Sequence, residues 1–279
     1  MTTRADVLLP VSHLTDALSA GAQLLDVRWT LGERPGTGYE QYVAGHIPGA
    51  LFLDLEGVLT GPLDDPESGR HPLPDAHRLG VGLGLLGIDP ARPVVVYDVP
   101  GSFAAGRAWW VLRWAGLDVR VLDGGLTAWL AARQDLETGA PDLAPAAPLR
   151  LTTGHLPTLD ADEVAAFDGV LIDVRAPERF RGEVEPIDAR AGHIPGAVNR
   201  PVSRLWDADG LLPSRHELEE RLVLPQDTAS VAVYCGSGVS AAQTVLALAS
   251  LGVDAALYAP SWSGWSSDPE RPVETGDAR

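Results

Sequence analysis

Short apolar runs alternate along the chain with stretches in which apolar residues recur at helical spacing. The runs 24–27, 94–97 and 119–122 are rich in valine and leucine, and each has the length of a buried strand. Between the second and third runs, residues 105–115 have the pattern of a helix. Alternation of strands and helices predicts an α/β fold with a mostly parallel sheet flanked by helices.

This pattern occurs twice. Leu-Leu-Asp-Val-Arg at 24–28 returns as Leu-Ile-Asp-Val-Arg at 171–175, and Ala-Gly-His-Ile-Pro-Gly-Ala at 44–50 returns unchanged at 191–197 with the same offset. The repeated unit is far longer than the units of solenoid proteins. The repeat therefore indicates a duplicated domain.

The two copies are joined by a segment of different composition. Residues 135–157 are rich in alanine, proline, leucine and glycine, which is typical of an extended linker. We predict an N-terminal domain over 1–134, this linker over 135–157, and a C-terminal domain over 158–279.

Cys235 is the only cysteine of the chain. It follows the apolar run 230–234 and precedes 241–251, which has the pattern of a helix. The cysteine is therefore expected on a turn before a helix N-terminus, where unpaired backbone N–H groups and the helix dipole favour an anion. Ligands of parallel α/β folds bind at this end of the strands.

The residues after the cysteine strengthen this prediction. Gly236 and Gly238 let the backbone curl so that successive N–H groups can point at one atom. A thiol in such a place ionises readily, and its thiolate is a nucleophile. A buried structural cysteine is the alternative, because lone cysteines commonly have that role. In the first copy Asp98 stands where Cys235 stands in the second, so we expect one active half and one catalytically altered half.

The composition restricts which partners the protein can bind and which catalytic chemistry it can use. The net charge of −17 would repel nucleic acid and anionic membranes, and no stretch approaches the roughly 20 apolar residues of a membrane span. All 21 basic residues are arginine, so lysine chemistry is excluded and an anionic substrate must be held by arginine, hydroxyl or backbone groups. A single cysteine excludes an intramolecular disulfide, and the first residues lack the apolar core of a secretory signal. Both features fit a cytoplasmic protein.

The repeated motifs contain polar residues for which we expect structural roles. Because the histidines occur in both copies, including the altered one, they are expected to brace turns rather than to react. The aspartate–arginine pairs are expected to tie loops to the sheets. These residues are His46 and His193, and Asp26 and Asp173 with Arg28 and Arg175.

Several motifs occur together in this chain. They are the paired Asp-Val-Arg and Gly-His-Ile-Pro-Gly-Ala motifs, Arg-Phe-Arg-Gly at 179–182, the loop that begins at Cys235, and Ser-Trp-Ser-Gly-Trp at 261–265. With them, nearly the whole chain resembles the two-domain rhodanese-like sulfurtransferases, the thiosulfate and 3-mercaptopyruvate sulfurtransferase family.

That resemblance implies a fold and a reaction. The fold would be two tandem rhodanese-like domains. The active cysteine would take a sulfane sulfur from a small-molecule donor, forming a persulfide, and pass it to a thiophilic acceptor without a metal or an organic cofactor. The acceptor stays open among cyanide, a small thiol, thioredoxin and a sulfur-carrier protein.

The residues after the cysteine indicate which sulfur donor is preferred. Thiosulfate enzymes of the family typically place basic residues there, whereas Gly236 and Ser237 resemble the mercaptopyruvate enzymes. The resemblance therefore implies 3-mercaptopyruvate as the preferred donor, with thiosulfate as the alternative. It also implies a relay in which Ser237 acts with a histidine matching His71 and an acidic residue matching Glu56, where the family more often has aspartate.

Further site residues follow from the same resemblance. Arg179 matches the arginine that holds the donor's carboxylate. A second family arginine has no clear counterpart, and Arg190 is the candidate for its place. The remaining substrate-binding positions lie in the loop after the cysteine: Gly236, Gly238, Val239 and Ser240.

Three other functions match parts of the pattern. Cysteine phosphatases of this fold need an arginine six positions after the cysteine, but residue 241 is alanine, which argues against a phosphatase. A non-catalytic binding module would usually have lost the cysteine, whereas Cys235 remains. The case for a redox-sensing thiol is weaker still, because the chain has no second cysteine that could form a disulfide with an oxidised Cys235.

Overall fold

The computed structural model describes residues 2–143, 145–224 and 230–277. The strands are β1 (Leu8–Leu9), β2 (Gln23–Asp26), β3 (Leu51–Phe52), β4 (Val94–Tyr97), β5 (Val119–Leu122), β6 (Val170–Asp173), β7 (Val198–Asn199), β8 (Val231–Tyr234) and β9 (Ala255–Leu257). The helices are α1 (Arg4–Val7), α2 (Leu14–Ser19), α3 (Thr37–Ala44), α4 (Leu55–Val58), α5 (Ala76–Leu85), α6 (Ala104–Trp114), α7 (Gly125–Ala131), α8 (Ala161–Ala165), α9 (Pro177–Phe180), α10 (Arg215–Leu222), α11 (Val239–Ser250) and α12 (Ser261–Ser267). Short 3₁₀ helices lie at Val11–His13, Pro66–Ser68 and Val202–Arg204.

The first half builds a parallel sheet. Within the described residues it has five strands in the order β1-β5-β4-β2-β3. The predicted strands 94–97 and 119–122 coincide with β4 and β5, and the predicted strand 24–27 is β2 displaced by one residue. Every residue of β4 is buried, because helices cover both faces of a parallel sheet.

The second half repeats this arrangement. Its described residues form a four-stranded parallel sheet in the order β7-β6-β8-β9. As in the first sheet, the central pair consists of the strand that carries Asp-Val-Arg and the strand that leads to the position of Cys235 or Asp98. The predicted α/β class, with two parallel sheets flanked by helices, is confirmed.

The segment between the two sheets lies against the first half. The described residues of 135–157 contain no helix or strand. The Leu149 N–H donates to the carbonyl of Gly80 on α5 at 2.9 Å. A Cβ on Gly80 would lie 2.2 Å from the Leu149 carbonyl oxygen, so only glycine permits this approach. The domain boundaries 1–134, 135–157 and 158–279 stay a prediction. The lack of helices and strands in the described part of 135–157 is compatible with a linker there.

Helices α6 and α11, one from each half, pack closely against each other. A Cβ on Gly106 of α6 would lie 2.0 Å from Gln243 Oε1 of α11, so glycine sets the approach of the two helices. A single cluster of buried side chains contains Trp110 of α6 and Leu246 of α11, so it spans both halves. Helix α11 is buried along nearly its whole length.

No helix among the described residues is long and apolar enough to cross a membrane.

The polar residues of the repeated motifs brace the two halves in the same way. His46 Nδ1 lies 2.8 Å from the Tyr42 carbonyl oxygen, and His193 Nδ1 lies 2.8 Å from that of Phe180. In each copy the arginine of Asp-Val-Arg forms a buried ion pair with the aspartate of the same motif. The structural roles expected for these residues are confirmed.

Candidate active site

Cys235 lies at the carboxyl end of β8, shortly before α11. The residue is 2 % exposed, and its Sγ accepts a hydrogen bond from the Gly238 N–H at 3.0 Å. The hydroxyl of Ser261 also holds the loop, because it accepts from the Cys235 N–H at 3.1 Å and lies 3.9 Å from Sγ. The loop therefore holds the sulfur at the start of a helix, as the sequence predicts.

The two glycines of the loop serve different purposes. Gly238 has φ +80°, and a Cβ there would lie 2.5 Å from the Ala259 carbonyl oxygen, so glycine is required for the curl. Gly236 does not adopt the left-handed conformation. It leaves room for guanidinium groups, because its Cβ would lie 3.2 Å from Arg70 Nη2 and 3.6 Å from Arg179 Nη1.

A cleft of about 340 Å³ opens in front of the sulfur. Val239 and Ser240, the first two residues of α11, line it together with Gly236 and Ser237. The first half contributes residues 29–31 and 101–103 to its wall. The cleft therefore lies between the two halves, and residues of both reach it.

Ser237 and His71 meet across this boundary. His71 Nδ1 lies 2.8 Å from Ser237 Oγ, and both residues are buried. Burial, with the nearby charges of Arg107 and Arg70, lowers the pKa of His71 to about 3. The imidazole is therefore neutral at physiological pH, with a hydroxyl group as its neighbour.

Glu56 does not join this pair. Its Oε1 accepts from the indole N–H of Trp29 at 3.1 Å, and the residue is exposed to solvent. Trp29 in turn packs edge-on against His71, with ring centroids 5.1 Å apart. The structure thus replaces the direct contact between Glu56 and His71 that the relay requires with an indirect one. The extra methylene of glutamate relative to aspartate does not bring the carboxylate to the imidazole.

Arg179 lines the cleft and is held by two buried carboxylates. Its Nη2 donates to Glu185 Oε1 at 2.6 Å and to Asp188 Oδ2 at 3.0 Å. Its Nη1, which lies toward Gly236, has no hydrogen-bond partner among the described residues. Arg179 can therefore offer this nitrogen to an anion in front of Cys235.

The structure does not bring Arg190, the candidate for a second substrate-binding arginine, to the cleft of Cys235. Its Nη1 donates to the backbone carbonyls of Asp268 and Arg271 at 3.0 and 2.9 Å, and its own carbonyl accepts from the Trp262 indole N–H. These contacts fasten the C-terminal segment to the second half. Arg190 is not among the residues that line the cleft of Cys235.

Arg70 is a second arginine of the cleft wall, beside Arg179. It comes from the first half, forms an ion pair with Asp188, and approaches Gly236 as Arg179 does. Burial and the charge of Arg179 lower the pKa of Arg70, and the charge of Cys235 opposes this shift. Sequence reasoning missed Arg70, and the only signal for it was weak: it directly precedes His71 in the same loop.

Asp98 holds the corresponding place in the first half. It follows β4, and its Oδ2 accepts from the Ala105 N–H at the start of α6 at 2.9 Å. Burial raises the pKa of Asp98 to about 7, although that hydrogen bond opposes the rise. A carboxyl group hydrogen-bonded to its own helix is not a sulfur nucleophile, so Cys235 is the candidate for that role.

The geometry combines an anion-holding loop, two guanidinium groups and a neutral hydroxyl–imidazole pair. No cluster of histidine, cysteine, aspartate or glutamate in the described part of the chain has the arrangement of a metal site. The site in front of Cys235 can bind a small anion beside the sulfur, and it holds Ser237 and His71 within hydrogen-bonding distance of each other.

Comparisons with known proteins are consistent across sequence and structure. A family model described as a rhodanese-like domain matches residues 11–132 and again 159–268. The chain is 45 % identical over its full length, and over the full length of the relative, to a protein of Mycobacterium tuberculosis named as a thiosulfate sulfurtransferase, SseB. It is 43 % identical to a 3-mercaptopyruvate sulfurtransferase of Pseudomonas aeruginosa, over 97 % of this chain and 98 % of that one. Among solved structures, SseA of Escherichia coli, a 3-mercaptopyruvate sulfotransferase, aligns with a TM-score of 0.80 and 32 % identity, covering 91 % of this chain and 98 % of the other.

Proposed function

The chain belongs to the two-domain rhodanese-like sulfurtransferases, and we propose that Cys235 carries a sulfane sulfur from 3-mercaptopyruvate to a thiophilic acceptor. The observation that carries the choice of donor is the contact of 2.8 Å between Ser237 and His71 beside the Cys235 loop. A donor whose leaving group must be protonated at carbon needs such a pair, whereas thiosulfate does not.

The first half-reaction forms the persulfide. The Cys235 thiolate attacks the sulfur of 3-mercaptopyruvate, a sulfur–sulfur bond forms, and the carbon–sulfur bond breaks with its electron pair going to carbon. The enolate of pyruvate takes up the proton that the donor's thiol brought, so pyruvate leaves and the persulfide stays as an anion. The Gly238 N–H, which donates to Sγ, stabilises the thiolate from which this reaction starts.

Ser237 and His71 move the proton in this scheme. Because the pKa of His71 is lowered to about 3, its imidazole is neutral and Nδ1 can accept from the Ser237 hydroxyl. Ser237 lines the cleft, so its hydroxyl can take the thiol proton of the donor while it passes its own to His71. An imidazolium with a pKa of about 3 returns this proton at once, and the reverse movement delivers a proton to the enolate. Glu56 acts only at a distance, through Trp29.

Two arginines hold the donor's carboxylate. Arg179 Nη1 and Arg70 Nη2 both lie close to Gly236, and the absence of a side chain there leaves space for an anion beside them. A carboxylate accepts from two guanidinium groups with charge-assisted hydrogen bonds. Gly236, Val239 and Ser240 line the rest of this cleft wall, while Gly238 binds the sulfur itself.

Thiosulfate is the second candidate donor. In that reaction the thiolate attacks the outer sulfur and sulfite leaves with the electron pair, so no proton is needed. The same two arginines suit a dianion, and the relative from Mycobacterium tuberculosis is named for thiosulfate. The acceptor is proposed to be a thiol, cyanide or a thioredoxin-like protein, and the single cysteine fits a cytoplasmic setting.

The test compares the two donors on the purified protein. We expect a higher kcat/KM with 3-mercaptopyruvate than with thiosulfate, and mass spectrometry after each donor should find one added sulfur on Cys235. Cys235→Ser should abolish turnover with both donors. A strong preference for thiosulfate would overturn the donor assignment, and turnover that survives in Cys235→Ser would overturn the mechanism.

A further inference from the structure

Arg107, on α6 of the first half, is a buried charge that the reaction scheme does not use. The residue is 0 % exposed. Its guanidinium donates to backbone carbonyls, among them that of His71 at 2.9 Å and that of Gly238 at 3.4 Å. Among the described residues its Nε has no hydrogen-bond partner, and no carboxylate forms an ion pair with it. Burying a guanidinium without a counter-charge lowers the free energy of unfolding.

Arg107 is connected to the sulfur of Cys235 through Gly238. The Gly238 N–H holds Cys235 Sγ at 3.0 Å, while the Gly238 carbonyl accepts from Arg107 Nη1. A Cβ on Gly238 would lie 3.2 Å from Arg107 Nη1, so the guanidinium lies directly against the residue that binds the sulfur. Burial lowers the pKa of Arg107 to about 10, which leaves it charged at neutral pH, and Cys235 is the charged group that opposes this lowering.

The other cations around the sulfur are already compensated. Arg70 pairs with Asp188, and Arg179 pairs with both Glu185 and Asp188. A third arginine in the cleft wall, that of the second Asp-Val-Arg motif, is paired with the aspartate of its own motif. His71 is neutral, because its pKa is lowered to about 3. Among the described residues, the charged or titratable side chains around the Cys235 loop include Arg70, Arg175 and Arg179 in the cleft wall, His71 at Ser237 and Arg107 at Gly238.

We propose that Arg107 is the counter-ion of the Cys235 thiolate and of the persulfide that replaces it, supplied across the domain boundary by the catalytically altered half. Arg107 acts through the electric field and through its bond to the Gly238 carbonyl, so it is a positioning residue and not one that contacts the donor. The inference rests on Cys235 as the sulfur carrier of the proposed function. It gives the first half a second task besides presenting Arg70 and His71.

The reactivity of Cys235 toward iodoacetamide tests this role without any sulfur donor. Cys235 is the only cysteine, so the alkylation rate measured by mass spectrometry reports on it alone. In Arg107→Gln the pH midpoint of the rate should rise by about one unit or more, because an opposite charge near a titrating group has effects of this size. Arg107→Lys, which keeps the charge, should restore most of the wild-type profile.

Arg113→Gln is the matched control, since Arg113 lies on the same helix but donates to the carbonyls of Asp6 and Val119. Its alkylation profile should equal that of the wild type. A folded Arg107→Gln whose midpoint does not move would overturn the proposal. This result would leave the proposed function untouched, because donor preference and sulfur loading are measured separately.

A second comparison leaves Arg107 in place and so does not depend on whether its variants fold. Cys235→Asp puts an anion at the sulfur's position, and Cys235→Asn puts a neutral group of the same shape there. If an uncompensated cation lies beneath the loop, Cys235→Asp should have the higher melting temperature at neutral pH. A lower melting temperature for Cys235→Asp would contradict the role of Arg107, because an unpaired buried carboxylate is strongly destabilising.

Discussion

At the scale of single residues, His71 shows how the surroundings set the protonation state before a substrate arrives. A free histidine titrates near pH 6.5. Here burial and two arginines lower the pKa of His71 to about 3, so its imidazole stays neutral beside Ser237. A neutral imidazole can accept a hydrogen bond from the Ser237 hydroxyl, and because of the low pKa it would hold a transferred proton only briefly before returning it.

We expect Ser237→Ala and His71→Ala to lower kcat/KM with 3-mercaptopyruvate by about 100-fold, the lower range for general acid–base catalysis. Turnover of thiosulfate should fall much less, because sulfite leaves without a proton. Steady-state kinetics with both donors measures the difference. Glu56→Gln serves as a comparison and should have a small effect, since Glu56 contacts Trp29 rather than the imidazole. Equal losses with the two donors would argue against the relay.

His71 should also make folding stability depend on pH. Because its pKa is lower in the folded state than the ordinary value of 6.5, the unfolded chain binds the proton more readily, and stability falls as the pH drops below that value. From pH 7 to pH 5 this group alone should cost about 2 kcal/mol of the free energy of unfolding. Urea denaturation at the two pH values measures the loss. His71→Gln should show a smaller loss by this amount, and an unchanged pH dependence would contradict the assignment.

At the scale of elements, the loop between β8 and α11 depends on one backbone conformation. Gly238 adopts φ +80° at the start of α11, and this directs its N–H at the sulfur. The same position leaves no space for a Cβ, because the Ala259 carbonyl oxygen would be 2.5 Å away. Conformation and packing therefore demand glycine together.

Gly238→Ala should displace the loop and lower sulfur transfer. Gly196→Ala is the matched control, since Gly196 has φ +78° but a Cβ there would meet no atom within 4 Å. Both variants should lose about 1 to 2 kcal/mol from the left-handed conformation, and Gly238→Ala should lose more because of the clash. Thermal unfolding and persulfide formation measure the two effects. Equal stability in the two variants would show that the loop tolerates a side chain.

The two halves share one core, and residues of both line the cleft of Cys235. One cluster of buried side chains includes residues of both sheets and of α6 and α11. The first half has Asp98 at the position of Cys235, yet its Arg70, His71 and Arg107 contact Asp188, Ser237 and Gly238 of the second half. In the proposed function, these contacts make the first half part of the site although it lacks the cysteine.

We expect the two halves to unfold together, because separating them would expose the buried faces of α6 and α11. Differential scanning calorimetry should show one transition, with a calorimetric enthalpy equal to the van't Hoff enthalpy. The Cys235→Ser protein is a suitable control, since it tests the fold without persulfide chemistry. Two resolved transitions would contradict a shared core.

Local patterns along the chain are enough to indicate several buried strands, the duplication and the family, and they single out Cys235 as the proposed nucleophile. Apolar runs form buried strands, glycine marks a tight turn, and the motifs recur within each copy. For this reason the strands 94–97 and 119–122 were predicted at their observed positions. Arg179 was also expected at the site and lines the cleft, because it belongs to a motif of the same half as Cys235.

Tertiary packing determines which residues far apart in the sequence come together around Cys235. His71 and Ser237 are 166 positions apart, Arg70 and Asp188 are 118 apart, and Arg107 and Gly238 are 131 apart. No local pattern encodes such contacts, since they follow from the packing of α6 against α11 and from the loops that this packing presents. The same packing brings Arg70 to the site, while Arg190 holds the C-terminal segment and Glu56 stays on Trp29. Side chains from the two halves are placed by the interface between these halves, and that interface exists only in the assembled fold.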